Sequence, residues 1–127
     1  MELRREGENL RLVGGAGQFA LAETLDCGQA FRWRQGPEGR WEGAAGSRYL
    51  SLERQGEDIL LLGLREEDRP FWESYFDLGR DYAALAALFR KNPVMRRALD
   101  FRPGIRVLRQ EPWETLCTFI LSANNNI

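Results

Sequence analysis

Few side chains in this sequence could act as nucleophiles. Lys91 is the single lysine, Cys27 and Cys117 are the two cysteines, and histidine is absent. The absence of histidine excludes Ser-His and Cys-His catalysis and leaves carboxylate, lysine or cysteine chemistry. No zinc-ligand spacing exists either, so we expect neither a metal site nor a cofactor. We expect Lys91 at the surface, because it ends an amphipathic helix just before Asn92-Pro93.

Two polar segments could contact a ligand. Residues 26–29 read DCGQ, with Gly28 where a backbone must turn tightly or where another molecule must approach closely. From these residues alone, a simple connection between strands is the favoured explanation. Asn124, Asn125 and Asn126 could cap a helix through a left-handed residue, or could present amide donors and acceptors to a polar ligand.

The elements that must position these segments change in character along the chain. The first half alternates apolar and polar residues and is divided by glycine-rich turns, which predicts strands in an antiparallel meander. The predicted strands cover 10–13, 18–25, 30–34, 41–45, 49–54 and 58–64.

After residue 64 the apolar spacing becomes helical. Phe71, Trp72, Tyr75 and Phe76 predict one short helix after Arg69-Pro70. Asp81 is a predicted N-cap for a helix that buries Tyr82, Leu85, Ala86 and Phe89, and Asn92-Pro93 predicts the start of another. Pro112 opens the clearest helix, whose apolar stripe is formed by Trp113, Leu116, Cys117, Ile120 and Leu121. Strands followed by helices predict an α+β domain, an antiparallel sheet with helices on one face.

Composition and charge exclude several classes of protein. With 43% hydrophobic and 29% charged residues, the 127-residue chain is globular in type and is neither disordered nor disulfide-rich. No apolar run approaches the roughly 20 residues that span a bilayer, and the opening residues MELRR lack the apolar core of a signal peptide, so we expect an intracellular protein without a membrane partner. The formal net charge of -1 lacks the basic excess of a self-sufficient DNA-binding protein. Because the chain ends directly after an apolar helix, we expect it to be part of a longer one.

Three segments together resemble one family. Residues 24–34, TLDCGQAFRWR, resemble the signature of the N-terminal domain of 8-oxoguanine DNA glycosylases: a small-residue turn, Gly-Gln, then Phe-Arg-Trp. Residues 107–114, VLRQEPWE, with the apolar helix that leads to SANNNI, are similar to the stretch before that family's helix-hairpin-helix domain. Residues 75–78, YFDL, are a third, shorter marker, so the resemblance extends from about Leu10 onward.

The resemblance implies a base-excision repair protein that extrudes 8-oxoguanine from damaged double-stranded DNA and cleaves its glycosidic bond, with an AP lyase activity in the complete protein. It implies a twisted antiparallel sheet, similar to half of a TATA-binding-protein saddle, in residues 1–80, and the first, incomplete part of a helical domain in 81–127. The complete protein is expected to be a monomer, in the cytoplasm or nucleoid of a bacterium or in the nucleus of a eukaryote.

The same resemblance assigns site residues. Gly28 matches the residue whose carbonyl accepts a hydrogen bond from N7–H, a donor that 8-oxoguanine has and guanine lacks. Asn124 matches the asparagine that contacts the estranged cytosine, and Asn125 and Asn126 position the turn or its backbone against DNA. The family's catalytic lysine and assisting aspartate belong to a later region, so we expect no catalytic residue, and no activity, in residues 1–127 alone.

Two other hypotheses remain beside the glycosylase. The chain could belong to a non-catalytic DNA-binding relative, or it could be a protein-interaction α+β domain without a nucleic-acid partner. The sequence after Ile127 distinguishes the three, because a helix-hairpin-helix with a lysine and a later aspartate supports only the glycosylase.

Overall fold

The computed structural model describes residues 2–124, with the side chain of Asn124 left out. In this range six strands form one antiparallel sheet in the order β1-β2-β6-β5-β4-β3. The strands are β1 (Glu2–Glu6), β2 (Asn9–Val13), β3 (Trp33–Gln35), β4 (Trp41–Ala45), β5 (Arg48–Gln55) and β6 (Asp58–Leu62). The helices are α1 (Leu21–Leu25), α2 (Arg69–Tyr75), α3 (Tyr82–Phe89), α4 (Pro93–Phe101) and α5 (Pro112–Asn124), with a 3-10 turn at Glu66–Asp68. The predicted α+β class is confirmed.

Register places most of the buried apolar residues of the strands on one face of the sheet. Leu61 of β6 lies opposite both Leu10 of β2 and Leu52 of β5, and all three side chains are buried. Leu12 and Ile59 form the next buried pair. Since side chains alternate between faces, these pairs fix which face receives the helices.

Aromatic residues of α2 cover the β3–β4 end of this face. Trp72, Tyr75 and Phe76 are buried around Trp33, whose indole Nε1–H donates to the Tyr75 hydroxyl at 3.0 Å. The ring centroids of Trp33 and Trp72 are 6.0 Å apart in an edge-to-face arrangement. The buried indole therefore has both apolar contacts and a hydrogen-bond partner.

The predicted strand at 18–25 is wrong, because residues 21–25 form α1. Leu21, Thr24 and Leu25 are buried at i, i+3 and i+4, a helical spacing. Phe19 and Leu21 at the start of the segment also fit an alternating pattern, so the short sequence satisfied both periods.

Two further corrections concern the edges of the sheet, one a strand that was not predicted and one a strand that is shorter than predicted. β1 was missed because Glu2–Glu6 is mostly charged, yet its backbone pairs with β2 from Glu2↔Val13 to Glu6↔Asn9. Charged residues are typical of an edge strand, where they oppose pairing with other chains. At the opposite edge, β3 begins only at Trp33, and Phe31 is 43% exposed rather than buried beside it.

The predicted helix starts are confirmed in α3 and α4. The Asp81 carboxylate accepts from Ala84 N at 2.9 Å, and the Asn92 side-chain oxygen accepts from Val94 N at 2.9 Å. The predicted burial on α3 is wrong, because none of its side chains is buried and Phe89 is 41% exposed. Helical spacing identifies an apolar face but does not supply the surface that covers it.

The stripe of α5 is likewise exposed. Trp113 is 69% accessible and Ile120 55%. None of the helices within residues 2–124 has the length and apolar composition needed to cross a membrane.

The predicted domain boundary after residue 80 stays a prediction, although residues 104–110, which follow it, contact the sheet and its helices.

Candidate functional site

Gly28 lies in the exposed loop that joins α1 to β3. Its φ of +87° is in the left-handed region, where residues with a Cβ are strained. A Cβ built at this position would meet nothing within 4 Å. The backbone therefore requires glycine here, and the space beside it is open to another molecule.

The next residue, Gln29, joins this loop to residues 104–110, here called the 104–110 segment, which runs between α4 and α5. The Gln29 side-chain NH2 donates to the Arg106 carbonyl at 2.8 Å, and its side-chain oxygen accepts from Leu108 N at 3.0 Å. The Gln29 backbone carbonyl accepts from the Gln110 side chain. Three hydrogen bonds thus join the residue that follows Gly28 to the 104–110 segment, and the Gln29 side-chain NH2 also donates within the loop, to the Thr24 carbonyl at 3.3 Å and to Cys27 Sγ at 3.4 Å.

The 104–110 segment has no regular secondary structure, but successive backbone amides have partners. Arg106 N donates to the buried Thr24 hydroxyl at 3.1 Å, and Val107 N donates to the Tyr82 hydroxyl at 3.1 Å. Arg109 N donates to the Tyr75 carbonyl at 2.8 Å. These partners give the irregular segment the backbone hydrogen bonds that a neighbouring strand would otherwise supply.

The Arg106 side chain anchors this segment to the interior of the protein. It is fully buried and donates to the carbonyls of Phe76 at 2.8 Å, Gln18 at 3.0 Å and Asp77. Its guanidinium lies 4.1 Å from the centroid of the Tyr82 ring. Burial lowers the pKa of Arg106, while Tyr82 and Asp77 oppose that shift. The guanidinium stays charged, since arginine is not deprotonated in proteins.

Asp77 gathers side chains at the end of α2. Its carboxylate accepts from Arg109 Nε at 2.9 Å, from Arg80 Nε at 3.1 Å and from the Tyr82 hydroxyl at 3.1 Å. Its φ of +51° is left-handed, a conformation that Asp and Asn adopt more readily than other residues with a Cβ. Asp77 therefore links α2, the start of α3 and the 104–110 segment.

A cleft of about 270 Å³ lies between the β4–β5 turn, α2 and the first turns of α5. Arg32 borders it and donates to the Glu114 carboxylate at 2.9 Å, which joins the loop before β3 to α5. Gly28 does not line this cleft. The loop at Gly28 and the cleft are therefore separate features.

The other predicted site residues are only partly described. Asn124 ends α5, roughly 20 Å along the helix from Pro112, and its side chain lies outside the described residues. Asn125 and Asn126 also lie outside them. Lys91 is exposed between α3 and α4, as expected. Within residues 2–124 no group of three or more Cys, Asp or Glu side chains is placed to hold a metal ion.

Sequence reasoning missed the residues that hold the Gly28 loop. Gln29 was treated only as part of a turn, and Arg106 was not singled out. The available signal for Arg106 was its position inside the apolar stretch Ile105–Leu108, where a lone charge has to find several polar partners if that stretch is buried. Nothing comparable marks Gln29 outside its motif.

Comparison with known proteins extends these observations. The family model described as "8-oxoguanine DNA glycosylase, N-terminal domain" matches residues 11–116. The N-glycosylase/DNA lyase OGG1 of Arabidopsis thaliana is 31% identical over 117 residues, covering 87% of this chain and 32% of that protein.

Solved structures give the same result for the fold. The Clostridium acetobutylicum 8-oxoguanine glycosylase/lyase in its apo form superposes with a TM-score of 0.87 at 35% identity, over 97% of this chain and 43% of that one. The same enzyme with double-stranded DNA that contains cytosine opposite 8-oxoG gives 0.85 at 33% identity, over 98% and 43%.

The fold defines the class of protein as an α+β domain of the kind found in the two Clostridium acetobutylicum structures. The chain belongs to the family of the N-terminal domain of 8-oxoguanine DNA glycosylases, because the family model covers most of its length. It spans about a third of the Arabidopsis relative and less than half of the Clostridium structure.

Proposed function

We propose that the polypeptide containing this chain recognises 8-oxoguanine in double-stranded DNA and removes it, with an accompanying AP lyase step. The observation that carries the proposal is the Gly28 loop, an exposed left-handed glycine held by hydrogen bonds within a region that matches the family model. The names of the relatives, N-glycosylase/DNA lyase and 8-oxoguanine glycosylase/lyase, support both steps.

Recognition rests on one change of hydrogen-bonding type. Oxidation at C8 converts N7 of guanine from an acceptor into an N–H donor. The Gly28 carbonyl accepts from that N7–H, whereas against unmodified guanine two acceptors face each other. A net hydrogen bond contributes about 1 kcal/mol, and leaving the two acceptors unmatched adds to the difference.

The end of α5 carries the second part of the proposal. Asn124 contacts the cytosine left unpaired by base flipping, since an amide can both donate and accept. Asn125 and Asn126 position the turn or its backbone against the DNA. Damaged double-stranded DNA is the proposed partner, and its contacts extend beyond residues 1–127 because the net charge of -1 offers little counterion release.

Base removal needs a nucleophile from outside these residues. Lys91 is the single lysine and is exposed beside the N-cap of α4, far from the Gly28 loop in the sequence. We therefore expect residues 1–127 alone to form no borohydride-trapped adduct with a duplex that contains 8-oxoguanine opposite cytosine. An adduct that disappears in Lys91→Gln would contradict this.

The test of recognition compares two glycine variants of the complete polypeptide. Gly28→Ala is expected to reduce excision of 8-oxoguanine about tenfold, while affinity for an undamaged duplex stays within about twofold. Gly56→Ala is the matched control, because Gly56 also has a left-handed φ, +60°, and open space, but lies in the β5–β6 turn. Unchanged excision by Gly28→Ala, or equal losses in both variants, would overturn the assignment of Gly28.

A further inference from the structure

The side-chain amide of Gln29 makes, between the Gly28 loop and the 104–110 segment, the pair of hydrogen bonds that a backbone peptide group makes between strands. A primary amide carries one acceptor and a two-hydrogen donor, the same groups that a backbone uses in a sheet. Gln29 donates to Arg106 O at 2.8 Å and accepts from Leu108 N at 3.0 Å, as a strand residue would with a neighbouring strand. The loop is thereby joined to the 104–110 segment without itself being a strand.

This attachment acts on the Gly28 carbonyl through covalent geometry. The carbonyl of Gly28 and the N and Cα atoms of Gln29 belong to one planar peptide unit. The Gln29 side chain and the Gln29 carbonyl are held on the far side of that Cα, by Arg106, Leu108 and Gln110. With Gln29 held in this way, the direction of the Gly28 carbonyl depends only on the φ angle of Gln29 and on the backbone angles of Gly28. Glycine by itself restricts none of these angles.

The surface that receives Gln29 is itself held firmly. Arg106 N is bound by the Thr24 hydroxyl, and the Arg106 side chain is fully buried against backbone carbonyls. The 104–110 segment then enters α5, the helix that ends at Asn124. Gln29 therefore connects the loop of Gly28 to the segment that leads into α5, the helix that ends at the proposed cytosine-contacting Asn124.

We infer that Gln29 is a positioning residue for recognition of the oxidised base: its side-chain amide orients the Gly28 carbonyl toward N7–H. The inference rests on the proposed function and deepens it. Gln29 does not touch the base in this role. It acts by limiting the orientations that a flexible glycine peptide would otherwise sample, and small misplacements of a recognition group cost large factors in rate.

The test uses two Gln29 variants of the complete polypeptide and two duplexes. Gln29→Met keeps the size of the side chain and removes its hydrogen bonds to Arg106 O and Leu108 N, together with the longer ones to Thr24 O and Cys27 Sγ inside the loop. Gln29→Glu keeps an acceptor for Leu108 N but loses the donor to Arg106 O. One duplex contains 8-oxoguanine opposite cytosine and reports single-turnover excision, and the other contains a tetrahydrofuran abasic analogue opposite cytosine and reports affinity without a base to read.

Excision of 8-oxoguanine is expected to fall about tenfold in both variants, while affinity for the abasic duplex stays within about twofold. Gln35→Met is the matched control, since the Gln35 amide also donates to a backbone carbonyl, that of Gly39 at 3.0 Å, in the β3–β4 turn. It should leave both measurements unchanged.

The outcomes separate this inference from the proposed function. Equal losses of excision and abasic affinity would mean that Gln29 only maintains the fold, and unchanged excision would mean that it does not orient Gly28. Either result overturns the inference while wild-type excision still supports the glycosylase. A wild-type polypeptide that excises no 8-oxoguanine and does not bind the abasic duplex overturns both.

Discussion

The sheet region and the helical region of this molecule both contain many apolar side chains, but only the sheet region buries them. The sheet region consists of β1–β6 with α1, α2 and the 104–110 segment, and it contains the buried core. The helical region consists of α3, α4 and α5, and none of its described side chains is buried. Its exposed large apolar residues include Leu88, Val94, Phe101, Trp113, Phe119 and Ile120.

The difference shows what makes a region self-sufficient. Leucines and tryptophans of β2–β6 form one buried cluster with residues of α1, α2 and the 104–110 segment, so burial of this core is completed inside the described residues. The helical region has correct caps and correct periodicity but no covering surface of its own. Exposed apolar area of this extent is typical of a surface that another polypeptide segment or partner covers.

The strongest way to break the sheet region is to remove the Arg106 guanidinium. Arg106→Met leaves buried carbonyls of Phe76, Gln18 and Asp77 without their donor, and we expect a loss of about 4 kcal/mol in the free energy of unfolding. Urea denaturation measures it. Arg102→Met is the control, because Arg102 is 57% exposed and pairs with Glu23 at the surface. Similar losses in the two variants would show that Arg106 does not anchor the core.

Equal truncations in the two regions test the comparison directly. Leu52→Ala removes a fully buried side chain of the sheet and should cost about 3 kcal/mol. Leu116→Ala, at 49% exposure in α5, should cost less than about 1 kcal/mol in the 127-residue chain. Thermal or urea unfolding of both variants is sufficient. A larger loss for Leu116 would mean that the helical region is covered in solution.

Acid should act on the sheet region through Asp68. Hydrogen bonds from Arg48 and Arg65, at 2.6 Å each, hold the pKa of Asp68 below its usual value, although burial opposes this shift. A carboxylate whose pKa is lower in the folded state stabilises the fold above its unfolded pKa, and that contribution is lost as the pH falls below about 4.

The Asp68→Asn variant should therefore lose less stability than the wild type between about pH 5 and pH 2, measured by urea midpoints across that range. Asp100→Asn provides the control in the helical region, where Asp100 pairs with Arg90 and both side chains are about half exposed. If Asp68→Asn lost as much unfolding free energy on acidification as the wild type and the Asp100→Asn control do, the Asp68 ion pairs would not stabilise the sheet region.

The smallest expected effect concerns the ion pair that links the two regions. Arg32 and Glu114 are 2.9 Å apart, with 48% and 36% of their side chains exposed. A double-mutant cycle with Arg32→Gln and Glu114→Gln should give a coupling below about 1 kcal/mol, as for other exposed pairs. A larger coupling would mean that this contact, rather than the 104–110 segment, holds α5 against the sheet.

Prediction from sequence was most successful where the signal was local. β2, β4, β5 and β6 and the starts of α3, α4 and α5 lie close to where alternation, turn residues and caps placed them. It failed where two periods fit one short segment, as in α1, and where pairing alone creates the strand, as in β1. Gly28 was singled out by its motif, and its left-handed φ is a second, structural reason why glycine occupies this position.

The sequence by itself determined the α+β class, the family motif and the helix caps, because each depends on residues close together in the chain. Only the tertiary structure decided what holds the Gly28 loop. Gln29 is 77 positions from Arg106, and Arg106 is 88 positions from Gln18, so no local pattern predicts either contact. A buried polar group requires hydrogen-bond partners, but its burial does not specify which ones. Which carbonyls and amides pair is decided only when tertiary packing brings distant segments together.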